Sequence, residues 1–296
     1  MSFRYNYHRE LDCLHVGCEP PRSYFIPFDS DAAAADGRRG TSPRFINLCG
    51  DWSFRYYKSV NDVGDLTATD FSYGMESIEV PRSWQTLLDR GYDTPNYTNV
   101  NYPYPVDPPY LPDDIPCGLY VRRFDIDAET LDTSRIYINF EGVDSCFYLF
   151  VNNKLAAYSQ VSHMTSEIDI TDKLTAGSNE LKVLVLKWCH GSYLEDQDKY
   201  RFSGIFRDVY LLLRSPVHIQ DIFVRAELNG NYTQGVVSAD VTLTGSSELK
   251  YRLLTPAGDE ISGGSIRLAD SGSFELLVPK PALWSDETPQ LYKLLV

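Results

Sequence analysis

Two apolar runs in the second half of the chain enclose a long polar connection. The first run is LKVLVLKW at residues 181–188, and the second is DVYLLL at 208–213. Runs of this length and composition are typical of buried strands. A polar stretch held between two rigid strands is where binding groups commonly lie, so residues 188–209 are the first candidate for a functional loop.

The rest of the chain predicts an all-β protein with two domains. Short β-prone runs separated by Gly, Pro, Asn and Asp begin near residue 45. Roughly eight to ten such runs with long crossovers between residues 45 and 215 suit a jelly-roll β-sandwich. Composition changes at residues 215–216, and residues 237–243 then alternate between apolar and polar. That period of two predicts an immunoglobulin-like sandwich over residues 216–296.

Residues 1–44 are predicted to form an extended arm. Prolines punctuate it, and DAAAADGRRG at 31–40 has the composition of a polar spacer. The segment YFIPF at 24–28 is too apolar to stay in water. Packing against a neighbouring domain or subunit and packing on the chain's own first domain both remain open. Contact with a partner subunit, which would make the arm part of a homo-oligomer interface, is the arrangement we expect.

Charge and cysteine usage exclude several classes of function. The formal net charge of −14 argues against nucleic acid and against an anionic membrane surface as partners. The N-terminus lacks the apolar core of a signal peptide, which predicts a cytoplasmic protein if Met1 is the true start. The six cysteines are scattered without CxxC pairs, so free thiols are expected rather than a zinc site.

The polar connection concentrates acidic and aromatic side chains. Glu195, Asp196 and Asp198 fall within four positions, flanked by Tyr193, Tyr200 and Arg201. This composition suits a hydroxyl-rich ligand or a hard cation, and the alternative is a solvated acidic loop. A second unusual stretch, 91–118, is rich in proline, tyrosine and asparagine and cannot be a central strand. It is either a rigid binding edge or an ordinary surface crossover.

The tryptophans are predicted to be structural. Trp188 precedes Cys189 and His190, a set that could suggest a metal site or a nucleophile. A core tryptophan at a strand end with an exposed histidine is the expected arrangement instead. Trp52, Trp84 and Trp284 are also expected in the core.

Taken together, several segments resemble the N-terminal part of the β-galactosidases of glycoside hydrolase family 2. They are CGDWSF (49–54), VPRSWQ (80–85), GYDTPNYTNVNYP (91–103), FEGVDS (140–145), GSYLEDQD (191–198), SGIFRDV (203–209) and PALWS (281–285). The GSYLEDQD and YTNV pieces point to the β-galactosidase branch. The SGIFRDV piece is shared with β-glucuronidases and β-mannosidases.

The resemblance implies a galactose-binding-like jelly roll, then an immunoglobulin-like domain, then a (β/α)₈ barrel that this sequence does not include. In the family the barrel supplies both catalytic glutamates of a retaining mechanism and most magnesium ligands. Carried over residue by residue, the resemblance assigns Asn99 and Asp198 to the pocket for a terminal β-D-galactoside such as lactose. It also implies a sodium ion on the Asp198 carboxylate and the Tyr97 carbonyl. The alternatives are a stand-alone carbohydrate-binding module and another family 2 glycosidase.

Overall fold

The computed structural model describes residues 3–67, 74–99, 102–195 and 198–296. It divides the chain into two compact units, Met1–Pro21 with Ile46–Leu213 and Arg22–Phe45 with Arg214–Val296. Strands dominate both units, so the predicted all-β class is confirmed. In the part of the chain that is described, no helix is long and apolar enough to cross a bilayer.

Strands are numbered in chain order, and most of them precede residue 215. These are β1 (His15–Val16), β2 (Phe45–Asn47), β3 (Gly50–Tyr57), β4 (Glu76–Val80), β5 (Arg82–Ser83), β6 (Asn96–Thr98), β7 (Cys117–Ile126), β8 (Arg135–Phe140), β9 (Val143–Asp144), β10 (Cys146–Val151), β11 (Lys154–Gln160), β12 (Ser166–Asp169), β13 (Gly177–Leu186), β14 (Lys199–Arg201), β15 (Gly204–Ile205) and β16 (Val209–Arg214). After them come β17 (Ile219–Leu228), β18 (Gln234–Leu243), β19 (Ser247–Leu254), β20 (Glu260–Leu268), β21 (Ser271–Pro279) and β22 (Lys293–Leu295). The helices are α1 (Asp31–Asp36) and α2 (Ala128–Thr133), and 3₁₀ turns lie at Tyr7–Arg9, Arg39–Thr41, Val60–Asp62, Trp84–Thr86, Leu88–Arg90, Thr171–Lys173 and His190–Tyr193.

The first unit is built around a large sheet in the order β1-β11-β10-β13-β7-β3-β4. A second sheet has the order β12-β8-β16-β2. Two small ladders, β14-β6 and β5-β15-β9, involve strands from the loops. The polar connection between β13 and β16 therefore contributes strands of its own, β14 and β15.

The large sheet is buried on both faces, which explains its continuous apolar runs. Successive side chains of a strand point to opposite faces. In β10, Phe147 and Leu149 enter one core, whereas Tyr148 and Phe150 enter another. The run at 181–188 divides in the same way and is buried, as predicted.

The N-terminal segment covers the second of these faces. Its aromatic rings lie on rings of the sheet, with centroid distances of 5.0 Å for Phe3 and Tyr148, 5.7 Å for Tyr5 and Phe150, and 5.7 Å for Tyr7 and Tyr158. His8 is 2% exposed, and its Nδ1 lies 2.8 Å from the Tyr148 hydroxyl. This part of the predicted arm is therefore packed on the sheet and is not a free extended segment. Without it, the aromatic face of the sheet would be exposed to water.

The remainder of the predicted arm belongs to the second unit. The segment predicted as a spacer forms α1. Ser30 caps its N-terminus by accepting from the Ala33 amide with its hydroxyl, and Gly37 caps its C-terminus in the left-handed region. Asp31 pairs with Arg252 at 3.0 Å, and the Lys293 ammonium donates to the Ala35 carbonyl. A contact of residues 1–44 with a partner subunit stays a prediction.

The second unit pairs β17-β18-β21 and β20-β19-β22. Ala239, Val241 and Leu243 are buried while Asp240 and Thr242 are exposed, so the predicted alternation is confirmed.

The tryptophans outside the polar connection divide between core and surface. The expectation of a core position is confirmed for Trp52 and Trp84, which are 1% and 0% exposed. Trp284 is 60% exposed, which makes the same prediction wrong for this residue. It lies in the irregular stretch between β21 and β22, where no strand pattern directs its ring inward.

We expect His8 to make the first unit sensitive to acid. Burial lowers the pKa of His8 from 6.5 to about 3. Below pH 6.5 the unfolded chain binds a proton that the folded unit does not, so the free energy of unfolding falls as pH drops towards 3. The loss per pH unit approaches about 1.4 kcal/mol. Urea unfolding followed by tryptophan fluorescence, at pH 7.5 and 4.5, should show a shallower pH dependence for His8→Asn than for the unmodified chain.

The matched control is His163→Asn, because His163 is exposed. This variant should keep the pH dependence of the unmodified chain. Equal slopes for His8→Asn and the unmodified chain would contradict the assignment.

Candidate functional site

A short ladder brings the two predicted sugar-contacting residues together. Strands β6 and β14 are antiparallel, with Thr98 opposite Lys199 and Tyr97 opposite Tyr200. Asn99 and Asp198 are the residues immediately beyond the Thr98–Lys199 end of that ladder, and both side chains are exposed. The structure therefore places them side by side at one edge, although they are far apart in sequence.

The Tyr97 hydroxyl links these two residues. It donates a hydrogen bond to Oδ1 of Asp198. That bond is the main reason why the pKa of Tyr97 is raised, and a hydrogen bond with the Asn99 side chain opposes the rise. Asp198 has φ of 52°, a left-handed conformation that Asp tolerates better than most residues. The arrangement presents a carboxylate and an amide next to each other on the surface.

Glu195, the first acid of the predicted cluster, has a different role. Its carboxylate accepts from the Ser162 amide at 3.0 Å and from the Ser162 hydroxyl at 2.6 Å, using both oxygens. Glu195 thus fastens the connection to the turn after β11 instead of facing the edge with Asp198. Asp196, the second acid, lies outside the described residues.

The arginine of β14 is buried, and the sequence, which places Arg201 beside the acidic cluster, does not predict that burial. Arg201 is 2% exposed and donates to the Ser192 carbonyl at 2.6 Å and to the Tyr102 hydroxyl at 3.2 Å. Its guanidinium also lies over the rings of Tyr102 and Trp188. Arg201 therefore joins β14 to both neighbouring loops. The signal in the sequence is an arginine between two aromatic residues. That pattern does not predict burial, because the burial of Arg201 depends on the loops that fold over it.

The proline-rich stretch packs against the acidic connection. Tyr102 stacks on Tyr193 with centroids 5.6 Å apart, and Tyr104 meets Trp188 edge-on at 4.9 Å. The Tyr193 hydroxyl donates to the Tyr110 carbonyl at 2.5 Å. The two unusual segments of the sequence thus form one structure around the β6–β14 ladder.

Gly204 is required where the connection returns to the sheet. It pairs with Ser83 on one side and with Asp144 on the other. Its φ is +124°, and a Cβ there would lie 2.7 Å from the Tyr120 hydroxyl and 2.9 Å from the Arg82 carbonyl. This close approach gives a physical reason for the glycine in the SGIFRDV segment.

The prediction that His190 is exposed is wrong. The residue is 9% exposed, and its ring nitrogens lie 3.1 Å from Gln160 Nε2 and 3.1 Å from the His8 carbonyl. The 3₁₀ turn at His190–Tyr193 and the N-terminal segment enclose it. Trp188 is in the core as expected, and all six cysteines are free thiols, as predicted.

The described part of this edge presents oxygen atoms that can form hydrogen bonds, and it has no cluster of metal-binding side chains. Among residues 3–67, 74–99, 102–195 and 198–296, no group of three or more His, Cys, Asp or Glu residues is placed to hold a metal ion. The edge itself offers carboxylate, amide and phenol oxygens. Such groups form directional hydrogen bonds with hydroxyl-rich ligands.

Family models match the whole chain beyond the predicted arm. Residues 45–216 match the glycosyl hydrolases family 2 sugar binding domain, and residues 217–296 match a further glycosyl hydrolases family 2 domain. The boundary between the two matches lies within a few residues of the division between the compact units at Leu213 and Arg214.

Two curated relatives match over almost the full chain. A β-galactosidase of Actinobacillus pleuropneumoniae is 40% identical over 292 residues, covering 98% of this chain and 28% of the relative. A β-galactosidase of Staphylococcus xylosus is 38% identical over 294 residues, with the same coverage of 98% and 28%. The chain therefore spans little more than a quarter of the length of these relatives.

Solved structures agree on the fold. The β-glucuronidase of Bifidobacterium dentium aligns with a TM-score of 0.66 at 17% identity, covering 84% of this chain and 44% of that one. A β-glucuronidase of an uncultured Clostridium species aligns with a TM-score of 0.66 at 18% identity, covering 93% and 44%. With both domains matched in order, this chain belongs to glycosyl hydrolase family 2 and corresponds to the N-terminal part of its β-galactosidase relatives.

Proposed function

We propose that this chain is the N-terminal, non-catalytic portion of a retaining β-galactosidase that hydrolyses terminal β-D-galactosides such as lactose. Asn99 and Asp198 would contribute to the galactose pocket, while the catalytic glutamates would come from a barrel domain that follows. The observation that carries the proposal is the adjacency of Asn99 and Asp198 at the exposed end of the β6–β14 ladder. The complete enzyme would be a cytoplasmic homo-oligomer.

The chemistry of the edge suits a neutral sugar. A carboxylate accepts hydrogen bonds from hydroxyl groups, and an amide both donates and accepts. Tyr97 holds Oδ1 of Asp198 by a hydrogen bond, so the orientation of this carboxylate is defined before a sugar binds. Such preorganisation reduces the ordering cost of binding.

A glucuronide is a poorer match for this edge than a galactoside. The structural neighbours include β-glucuronidases, but at 17–18% identity they support the fold alone. A glucuronide would bring a second negative charge to an edge that already carries the Asp198 carboxylate, and like charges repel each other. The curated β-galactosidases, at 38–40% identity, favour the galactoside.

Sodium is the cation that we propose for this edge. Hard cations prefer oxygen ligands, and Asp198 and the Tyr97 carbonyl would supply two of them. The exposure of Asp198 fits this role, because a buried, fully paired carboxylate could not take another ligand. Water, sugar or a later domain would complete the shell. For magnesium, our proposal is that the complete enzyme binds it mostly through the barrel.

We expect Asp198→Asn to weaken galactoside hydrolysis in the full-length enzyme. The substitution keeps the shape and removes the charge, so it loses a charge-assisted hydrogen bond worth roughly 1.5–3 kcal/mol. This corresponds to about a ten- to hundred-fold lower kcat/KM. Activity should also respond less to added sodium, measured with a chromogenic galactoside across a sodium series at constant ionic strength. Asn99→Ala should cost less and leave the sodium response intact.

Asp125→Asn is the matched control for Asp198→Asn. Asp125 is also an exposed carboxylate of the first unit, at the end of β7 remote from Cys117. Its replacement should leave kcat/KM and the sodium response unchanged. Equal kcat/KM for Asp198→Asn and the unmodified enzyme would refute the proposed pocket.

The isolated chain of 296 residues should fold without hydrolysing β-galactosides. A retaining mechanism needs two carboxyl groups about 5 Å apart that are free to react. Glu195, the acid that could have accompanied Asp198, uses both oxygens on Ser162. Incubation of the purified chain with a chromogenic galactoside should give no turnover above that of a mock purification. Turnover that scales with the chain and stays with it through gel filtration would overturn this expectation.

The isolated chain also distinguishes a stand-alone carbohydrate-binding module from part of a larger pocket. A module would bind galactose by itself, whereas one wall of a pocket would bind it only weakly. Isothermal titration of the chain with galactose, compared with the full-length enzyme, separates the two.

A further inference from the structure

A lysine is buried close behind the β6–β14 ladder. The Lys187 side chain is 4% exposed and directly follows strand β13. Lysine is rarely buried unless its charge is paired. Its ammonium donates to Oδ2 of Asp93 and, at 2.8 Å, to Oδ1 of Asn96. Both acceptors lie in the segment that leads into or begins β6.

A glutamine extends this network to the loop that follows β14. Gln85 Nε2 donates to Asp93 Oδ2 at 3.2 Å and to the Ser203 hydroxyl at 3.1 Å. The Gln85 carbonyl oxygen accepts from the Ser203 amide at 2.8 Å. The polar side chains thus connect the loop before β6 with the loop after β14. These two loops flank the ladder, one before β6 and one after β14.

Lys187 and Asp93 form a pair of opposite charges with little access to water. Their side chains are 4% and 16% exposed. Burial lowers the pKa of Lys187, while the hydrogen bond and the charge of Asp93 oppose that change. Removing one partner would leave the other charge buried and unpaired, which is strongly unfavourable. The loop would then shift to bring the remaining charge to water.

We propose that Lys187 is a positioning residue for the sugar-binding edge, acting through Asp93 and Asn96 on the ladder that carries Asn99 and Asp198. Lys187 itself does not touch the sugar in this proposal. The inference rests on the proposed function for its effect on galactosides. Its effect on the ladder can be measured without any activity.

The first experiment uses the chain alone. Amide ¹H–¹⁵N spectra of Lys187→Met should show shifts at residues 96–99 and 198–201, with the amides of β16 unchanged. Lys182→Met is the control, because Lys182, which lies on β13, is also buried but donates to the Leu66 carbonyl and Asn153. Asp93→Asn keeps the size of the side chain and gives the same test if Lys187→Met does not fold. Unchanged ladder amides in both folded variants would overturn the proposal.

The second experiment uses the full-length enzyme and separates KM from kcat. Misplacing Asn99 and Asp198 weakens binding of ground state and transition state alike, so KM should rise about ten-fold with little change in kcat. Lys187→Arg retains the charge and should restore KM at least in part. A merely structural role would lower the amount of active enzyme without changing KM, and that result would overturn the inference.

Asp198→Asn tells the two hypotheses apart in the same assay. If it impairs hydrolysis while Lys187→Met and Asp93→Asn leave KM unchanged, the positioning role is wrong and the proposed function stands. If Asp198→Asn has no effect, the proposed function falls, and the positioning role for a sugar falls with it.

Discussion

Burial of both faces of the large sheet is the constraint on which the first unit depends. A sheet with one wet face needs only one layer to cover it, but this sheet carries apolar side chains on each side. The second sheet covers one face. The N-terminal segment and the proline-rich stretch cover the other, so both are parts of the core rather than appendages. The loops that form the candidate site are therefore held by the same packing that stabilises the unit.

Buried charges restrict the positions of these loops more than apolar contacts could. Arg201 and Lys187 each require particular acceptors at defined distances, and these acceptors lie on different segments. A loop that shifted would leave a charge without its partners. This explains how a long polar connection can hold an exposed edge in one arrangement, which recognition of a hydroxyl-rich ligand needs.

The sequence was sufficient to predict the strands. It was also sufficient, through a family resemblance, to predict that Asn99 and Asp198 lie close together. Period-two alternation predicted that Ala239, Val241 and Leu243 are buried while Asp240 and Thr242 are exposed, because that pattern depends only on local geometry. It was not sufficient for His190, Arg201 or residues 3–21. Their burial depends on segments distant in sequence, and composition does not encode which segment covers which face. For Trp284 the error was the reverse, because burial was predicted and the side chain is exposed. In an irregular stretch, no strand periodicity indicates which way an aromatic side chain points.

The division of the chain into units has a consequence for its synthesis. Arg22–Phe45 belongs to the second unit, whose remaining residues are Arg214–Val296. A ribosome adds roughly 5–20 residues per second, so α1 is made some ten seconds or more before the strands that receive it. Meanwhile most of the first unit emerges between the two segments. During translation the apolar residues of 22–45 must therefore wait without their final partners, at the stage when chaperones or an incorrect neighbour have the best opportunity to bind them.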